Sequence, residues 1–235
     1  MNFKKKISVY QADVFNTSIS DLMSGLLAIF ILVLCYFILN FSQATAQLSE
    51  NDTKRAEILL EIQDAMKEAG VDVIVDQEHG ILRIPEGILF DVGSADIKPA
   101  GHKVIKKLSS VMEFVLSDEK FKGSVETVFI EGHTDNMPIN NAFFSSNWDL
   151  STKRAINTWN MMKESEPGLN NLVNRNNQKV FSCSGYADTR PVDANNNIES
   201  RRQNRRIDIR FSMSPPRVKD VQIVKFVREQ MKNNG

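Results

Sequence analysis

From Leu22 to Phe41 the chain reads LMSGLLAIFILVLCYFILNF, twenty residues without a charge. At ~1.5 Å rise per residue, a helix of that length is about 30 Å long, the thickness of a bilayer core. The run predicts a single transmembrane helix over 14–41. Lys4, Lys5 and Lys6 precede it, and the first charges beyond it are Glu50 and Asp52. That asymmetry assigns residues 1–13 to the cytoplasm and everything after residue 41 to the far side. Ala44-Thr45-Ala46 has the small-x-small form of a signal cleavage site. The apolar run, however, exceeds the roughly 7–15 residues of a signal core, and a long acid-containing stretch precedes it. The segment is therefore read as a retained anchor.

Asp21 stands at the cytoplasmic edge of this run, in SISDLMSGLLAIFILVL. Ser18, Ser20 and Asp21 are all good cap residues, which makes a helix N-cap one reading. A helix beginning earlier, near Val14, draws Asp21 into the bilayer instead. An acid at that depth is costly unless it faces protein or water, where it carries ions or protons. Periodicity alone leaves both readings open.

Beyond the span, 42–57 is polar and free of Gly and Pro, and reads as a linker. Ile58, Leu59, Ile62, Met66 and Ala69 then recur at helical spacing, with Gly70 at a C-cap position. A short amphipathic helix follows from this, either a stalk or lid packed on the next domain or a regulatory plug; linker and helix together occupy 42–70. After Gly70 the period changes. Val71–Val75 and Ile81–Ile84 flank Glu78-His79-Gly80 as a hairpin-like pair. Pro99 opens a helix whose Val104, Ile105, Leu108, Val111, Met112 and Val115 share one face. Val125–Glu131, Val180–Ser184 and Ile207–Phe211 read as strands and Leu150–Met162 as a helix. Strands alternating with helices predict an α/β (α+β) domain over 71–214, a mixed sheet packed on helices and large enough to bury its own core. A last helix, Val218–Met231, lies in a C-terminal tail, 215–235.

Charges balance, with Lys+Arg 29 against Asp+Glu 29, which removes the electrostatic case for a nucleic-acid binder. Cys35 lies in the apolar run and Cys183 far along the polar part, so a disulfide framework is excluded. His79, His102 and His133 are scattered without HxxxH or CxxC spacing, and Ser182-Cys183-Ser184-Gly185 lacks the GxSxG elbow. No G-x-x-x-x-G-K loop is present either. No catalytic residue, metal or cofactor is expected.

The polar signal is concentrated in three clusters: Gly132–Asn136, Ser146–Ala155 and Arg201–Arg206. Asp135 follows a strand and Arg154 lies early in a helix. One carboxylate and one guanidinium facing a common cleft suit a ligand bearing both ammonium and carboxylate, because Asp accepts ammonium protons and Arg binds carboxylate bidentately. The plainer reading is a salt bridge between the two.

Phe90-x-x-Gly93-x-Ala95 with Pro99-x-Gly101, Ile130-Glu131-Gly132-His133-Thr134-Asp135, Asn147-x-x-Leu150-Ser151-x-x-Arg154-Ala155, Gly185-x-x-Asp188-x-x-Pro191 and Asn204-Arg205-Arg206-Ile207 resemble, in order, the peptidoglycan-binding domain shared by OmpA, Pal and MotB. Ser146–Ser151 and the long loop between Asp135 and Asn147 resemble MotB more than OmpA. Asp21-Leu22-Met23 through Ala28-Ile29-Phe30 likewise resembles the MotB membrane helix. The resemblance implies an inner-membrane stator subunit with its C-terminal domain in the periplasm, in which Asp21 carries H⁺ or Na⁺. Two copies would sit inside a pentameric MotA-like ring. It implies a wall site at Asp135, Asn147, Leu150 and Arg154, with Arg205 or Arg206 adding a second cation, for a diaminopimelate-containing stem peptide. The short linker, and Val9–Val14 without the usual Trp, resemble ZorB of the Zorya anti-phage systems, whose ring partner is ZorA. A flagellar stator and a passive OmpA-type wall tether are the alternatives.

Overall fold

A computed structural model describes residues 3–215. The tail helix expected over Val218–Met231 lies outside the described residues. One helix, α1, runs from Phe3 to Glu68. One compact unit spans Ser49–Pro215, and the part of α1 up to Leu48 belongs to another.

In the first unit the apolar side chains of the run are exposed: Leu22 to 69%, Leu32 to 70% and Phe41 to 72%. The segment is long and apolar enough to cross a membrane, with a mean hydropathy of 2.8 over its most apolar stretch. Asp21 lies well inside α1, so it is not an N-cap. That reading assumed a helix starting at the apolar run, whereas the polar residues before it are helical too.

The expected linker is also helical. Residues 42–57 contain no Gly or Pro to break the chain, and Glu50–Lys54 (2.8 Å) and Asp52–Arg55 (3.1 Å) pair at helical spacing. The helix ends where Gly70, at φ +74°, lets Val71 N–H reach back to the Met66 carbonyl at 3.0 Å. The compact domain therefore begins at residue 49 rather than 71. Ile58, Leu59, Ile62 and Met66 have no exposed surface and join its core. The apolar face that motivated a plug is thus covered by the domain, which is the packed-lid alternative.

Five strands form one sheet in the order β1-β2-β5-β3-β4: β1 Ile74–Asp76, β2 Ile81–Pro85, β3 Val125–His133, β4 Phe181–Gly185 and β5 Arg206–Met213. Among the described residues only β3 and β4 run parallel, which makes the sheet mixed. A short α2 (Glu86–Leu89) follows β2, then α3 (Pro99–Ser117), α4 (Asn147–Ser165) between β3 and β4, and α5 (Ile198–Asn204) before β5. A 3₁₀ turn at Pro167–Asn171, α2 and α5 are elements too short for periodicity to reveal.

Alternation sorts the strands into two faces. Leu82, Ile84, Val128, Ile130, Ile207, Ile209 and Phe211 enter the core with the apolar faces of α3 and α4. Two glycines let α4 lie unusually close to the sheet. A Cβ on Gly132 would stand 2.0 Å from the Ser151 carbonyl oxygen, and one on Gly185 would stand 2.2 Å from Thr152 Oγ1. This close approach brings the first turns of α4 beside the ends of β3 and β4.

Candidate functional site

The site forms where β3 ends and α4 begins. Ser146 caps α4 by accepting the Asp149 N–H at 3.3 Å. The next residue, Asn147, donates through Nδ2 to the carbonyls of Asp135 (3.3 Å) and Met137 (3.1 Å), tying the loop to the helix. Asp135 accepts the Met137 N–H at 3.1 Å through one carboxylate oxygen. Leu150 is buried beneath this corner and packs rather than presents.

Arg154 projects from α4 into the interior and is 1% exposed. Its Nε donates to the Ser94 carbonyl at 2.8 Å, its Nη2 pairs with Glu86 Oε1, and its guanidinium lies 5.2 Å from the Phe90 ring centre. Arg205 completes the group. Its Nη1 lies 2.6 Å from Asp135 Oδ2 and its Nε 2.8 Å from Glu86 Oε2. Asp135–Arg205–Glu86–Arg154 is thus one chain of alternating charges. Burial pushes the Glu86 carboxyl up, against the pull of Arg154 and Arg205. Burial also lowers the Arg154 guanidinium, which Glu86 holds back.

Asp135, Asn147, Leu150, Arg154 and Arg205 are therefore gathered, but Arg154 does not meet Asp135 directly. Glu86 and Arg205 stand between them. Glu86 is the residue sequence reasoning missed; the one signal available was a lone acid in the otherwise uncharged IPEGILF.

Arg206 is not part of this cluster. One residue along an extended strand reverses the side chain, and Arg206 turns to the other face of the sheet. There it holds Asp208 at 2.9 Å, the Asn204 carbonyl at 3.1 Å and the Arg190 carbonyl at 3.1 Å. Arg83 grips the same Asp208 at 3.0 Å, and Arg210 pairs with buried Glu131. His133, 2% exposed, stacks on Tyr186 at 5.4 Å within this network. Burial first, then Arg206, Arg190 and Arg83, push its pKa down to about 3. Asn204 is a fastener: its amide holds the backbone of Val192 (2.7 Å) and Asp193 (2.8 and 3.0 Å). Among the described residues no three His, Cys, Asp or Glu side chains converge as a metal site would require. Burial pushes the Cys183 thiol up to about 11, which leaves it unreactive at neutral pH.

Comparison with known proteins agrees with this architecture. Residues 89–205 match the OmpA family. Motility protein B of Bacillus subtilis (strain 168) is 32% identical over 164 residues, covering 70% of this chain and 57% of the relative. The chain thus spans less than two thirds of that relative's length. The cell wall anchor of the T6SS from Pseudomonas aeruginosa matches 66% of this chain and 97% of its own, at TM-score 0.51 and 23% identity. A putative MotB-like protein from Desulfovibrio vulgaris matches 72% of this chain and 99% of its own, at TM-score 0.53 and 20% identity. At those identities the two structures speak for the fold alone. Residues 89–205 thus form an OmpA-like domain, in a chain that is similar to motility protein B of Bacillus subtilis.

Proposed function

We propose that this chain is the wall-anchored subunit of an ion-driven inner-membrane motor. The Leu22–Phe41 helix spans the membrane with its N-terminus in the cytoplasm, and the OmpA-like domain lies in the periplasm. Two copies sit within a pentameric MotA-like or ZorA-like ring, each presenting Asp21 to a path for H⁺ or Na⁺. Neutralising Asp21 removes its desolvation cost, so loading and release alternately favour two ring positions. The periplasmic domain holds peptidoglycan through the diaminopimelate of its stem peptide, which carries both ammonium and carboxylate. This keeps the subunit still while the ring turns.

The observation that carries this reading is the Asp135–Arg205–Glu86–Arg154 cluster at the corner of an OmpA-like domain. Its chemistry fits that ligand, and the same chain has an exposed apolar run with Asp21 at its edge. A passive tether leaves Asp21 without a role. The process served is the finer step, and we assign it to phage defence of the Zorya type, on the short stretch between span and domain and on Val9–Val14 without Trp. Motility is the process in the name of the Bacillus subtilis relative.

The test is to move the gene with its neighbours into a motile, phage-sensitive host lacking its own stator. Phage protection that disappears in Asp21→Asn is the expected result. Restored swimming without protection would replace defence by motility and keep the motor. Full output in Asp21→Asn would refute the motor.

A further inference from the structure

Every charge in the candidate site already has a partner from the chain itself. Arg154 and Glu86 are 1% and 3% exposed and face each other. Arg205 is the accessible member, with a quarter of its side chain exposed, and it bridges Glu86 to Asp135. Two guanidinium groups and two carboxylates sum to zero, so nothing unpaired awaits a ligand. Binding there must proceed by exchange.

The contacts show which partner can be exchanged. Arg154 is held on two sides, by Ser94 and Glu86, and is out of solvent. Asp135 keeps one oxygen on the Met137 N–H and gives the other to Arg205. Glu86 Oε2 lies within ion-pair distance of Arg205 Nε but has no aligned hydrogen bond, so that end of the carboxylate is loosely engaged. The weak point of the chain is the Arg205 guanidinium, at the surface, resting on Asp135.

Resting on the wall-binding reading above, we propose that Arg205 is a built-in stand-in for the ligand's ammonium and selects for a zwitterion. An ammonium that takes Asp135 displaces Arg205. The displaced guanidinium then needs a new carboxylate, because Glu86 is already shared with Arg154. A ligand that brings its own carboxylate restores neutrality, whereas a purely cationic ligand leaves one guanidinium uncompensated in a half-buried place. Glu86 sets the balance by neutralising Arg154 and retaining Arg205 through Nε. Arg205 is thus a specificity-determining residue and Glu86 a positioning one.

Calorimetric titration of the full chain in detergent compares two probes, alanyl-γ-glutamyl-meso-diaminopimelate and the same tripeptide with lysine at the third position. They share the ammonium, and only the first carries the neighbouring carboxylate. The wild type is expected to favour the diaminopimelate peptide by about tenfold or more, as sites with buried polar partners do. Arg205→Gln removes the stand-in, so the lysine peptide gains affinity and the preference falls to about threefold or less. Glu86→Gln moves it the other way, since two guanidinium groups then face one carboxylate and the lysine peptide loses further. Tryptophan fluorescence checks that each variant is folded, because both tryptophans, Trp148 and Trp159, lie in α4. An unchanged preference in folded Arg205→Gln, or a parallel loss of both peptides, overturns the stand-in role while wild-type binding of the diaminopimelate peptide preserves the wall site. If Arg205→Gln does not fold, a Glu86→Gln preference that fails to widen overturns it equally. A wild type that binds neither peptide nor intact wall sacculi refutes the wall-binding reading itself, and the stand-in with it.

Discussion

Arg205 and Arg206 are neighbours in sequence and sit in two ionic networks of opposite character. Arg206 is 4% exposed and spends its donors on Asp208 and two carbonyls, with Arg83 closing the other side of Asp208. That network on the outer face of the sheet is closed. Arg205, with 25% of its side chain exposed, links Asp135 to Glu86 and brings that chain of charges to the surface. Burial makes a network structural, because removing a partner leaves a charge that neither water nor protein can compensate. An exposed end makes it exchangeable. The difference arises from a single step of strand register, and it separates the part of the domain that holds the fold from the part suited to a ligand.

The two networks should differ most in what the loss of one carboxylate costs, and Asp208 is the extreme. Asp208→Asn withdraws the carboxylate that Arg83 and Arg206 share, and should cost about 3–5 kcal/mol of stability. Asp135→Asn should cost about 1 kcal/mol or less, since Arg205 retains Glu86 and partial solvation. Urea unfolding followed by tryptophan fluorescence measures both, and equal losses would erase the distinction between the networks. Gly132→Ala tests the scaffold common to both. Its Cβ would meet the Ser151 carbonyl, forcing α4 away from β3, with an expected loss of roughly 1–3 kcal/mol and of wall binding together.

The smallest effect is a pH dependence. His133 has a folded pKa of about 3, below its ordinary value near 6.5, so the unfolded chain binds its proton first. Its contribution is fully present above about pH 6.5 and is lost as the pH falls toward 3. Between pH 7.5 and 5.5 the loss should be about 1 kcal/mol. His133→Phe, which keeps a ring against Tyr186, should flatten that slope. A slope identical to wild type would place the titration elsewhere.

Much of this was legible in the sequence, for identifiable reasons. The charge-free run from Leu22 to Phe41 is recognisable by length alone as a segment apolar enough to cross a membrane. Alternation in Ile207–Phe211 and helical spacing from Val104 to Val115 fix faces, so β5 and α3 appear where expected. Asp135 and Arg154 could be picked out because polar residues cluster around them. Their indirect connection could not, since Glu86 pairs with Arg154 across 68 positions and only the folded sheet brings α2 to α4. The position of Arg206 was readable in principle. Arg206, Asp208 and Arg210 alternate with Ile207, Ile209 and Phe211, which sends them to the face opposite the core. The helical course of 42–57 was hidden because polar residues carry no apolar period, and its helicity rests on local pairs and the absence of breakers.

Sedimentation of the detergent-solubilised chain with purified sacculi tests whether the Asp135–Arg205–Glu86–Arg154 cluster holds the cell wall. The wild type should cosediment. Asp135→Ala and Arg154→Ala should each lose binding by on the order of 2–5 kcal/mol, the cost of stripping one member from a largely desolvated charge pair. Arg206→Lys, a change on the closed face, should bind as wild type does. Undiminished cosedimentation of folded Asp135→Ala and Arg154→Ala would contradict the assignment.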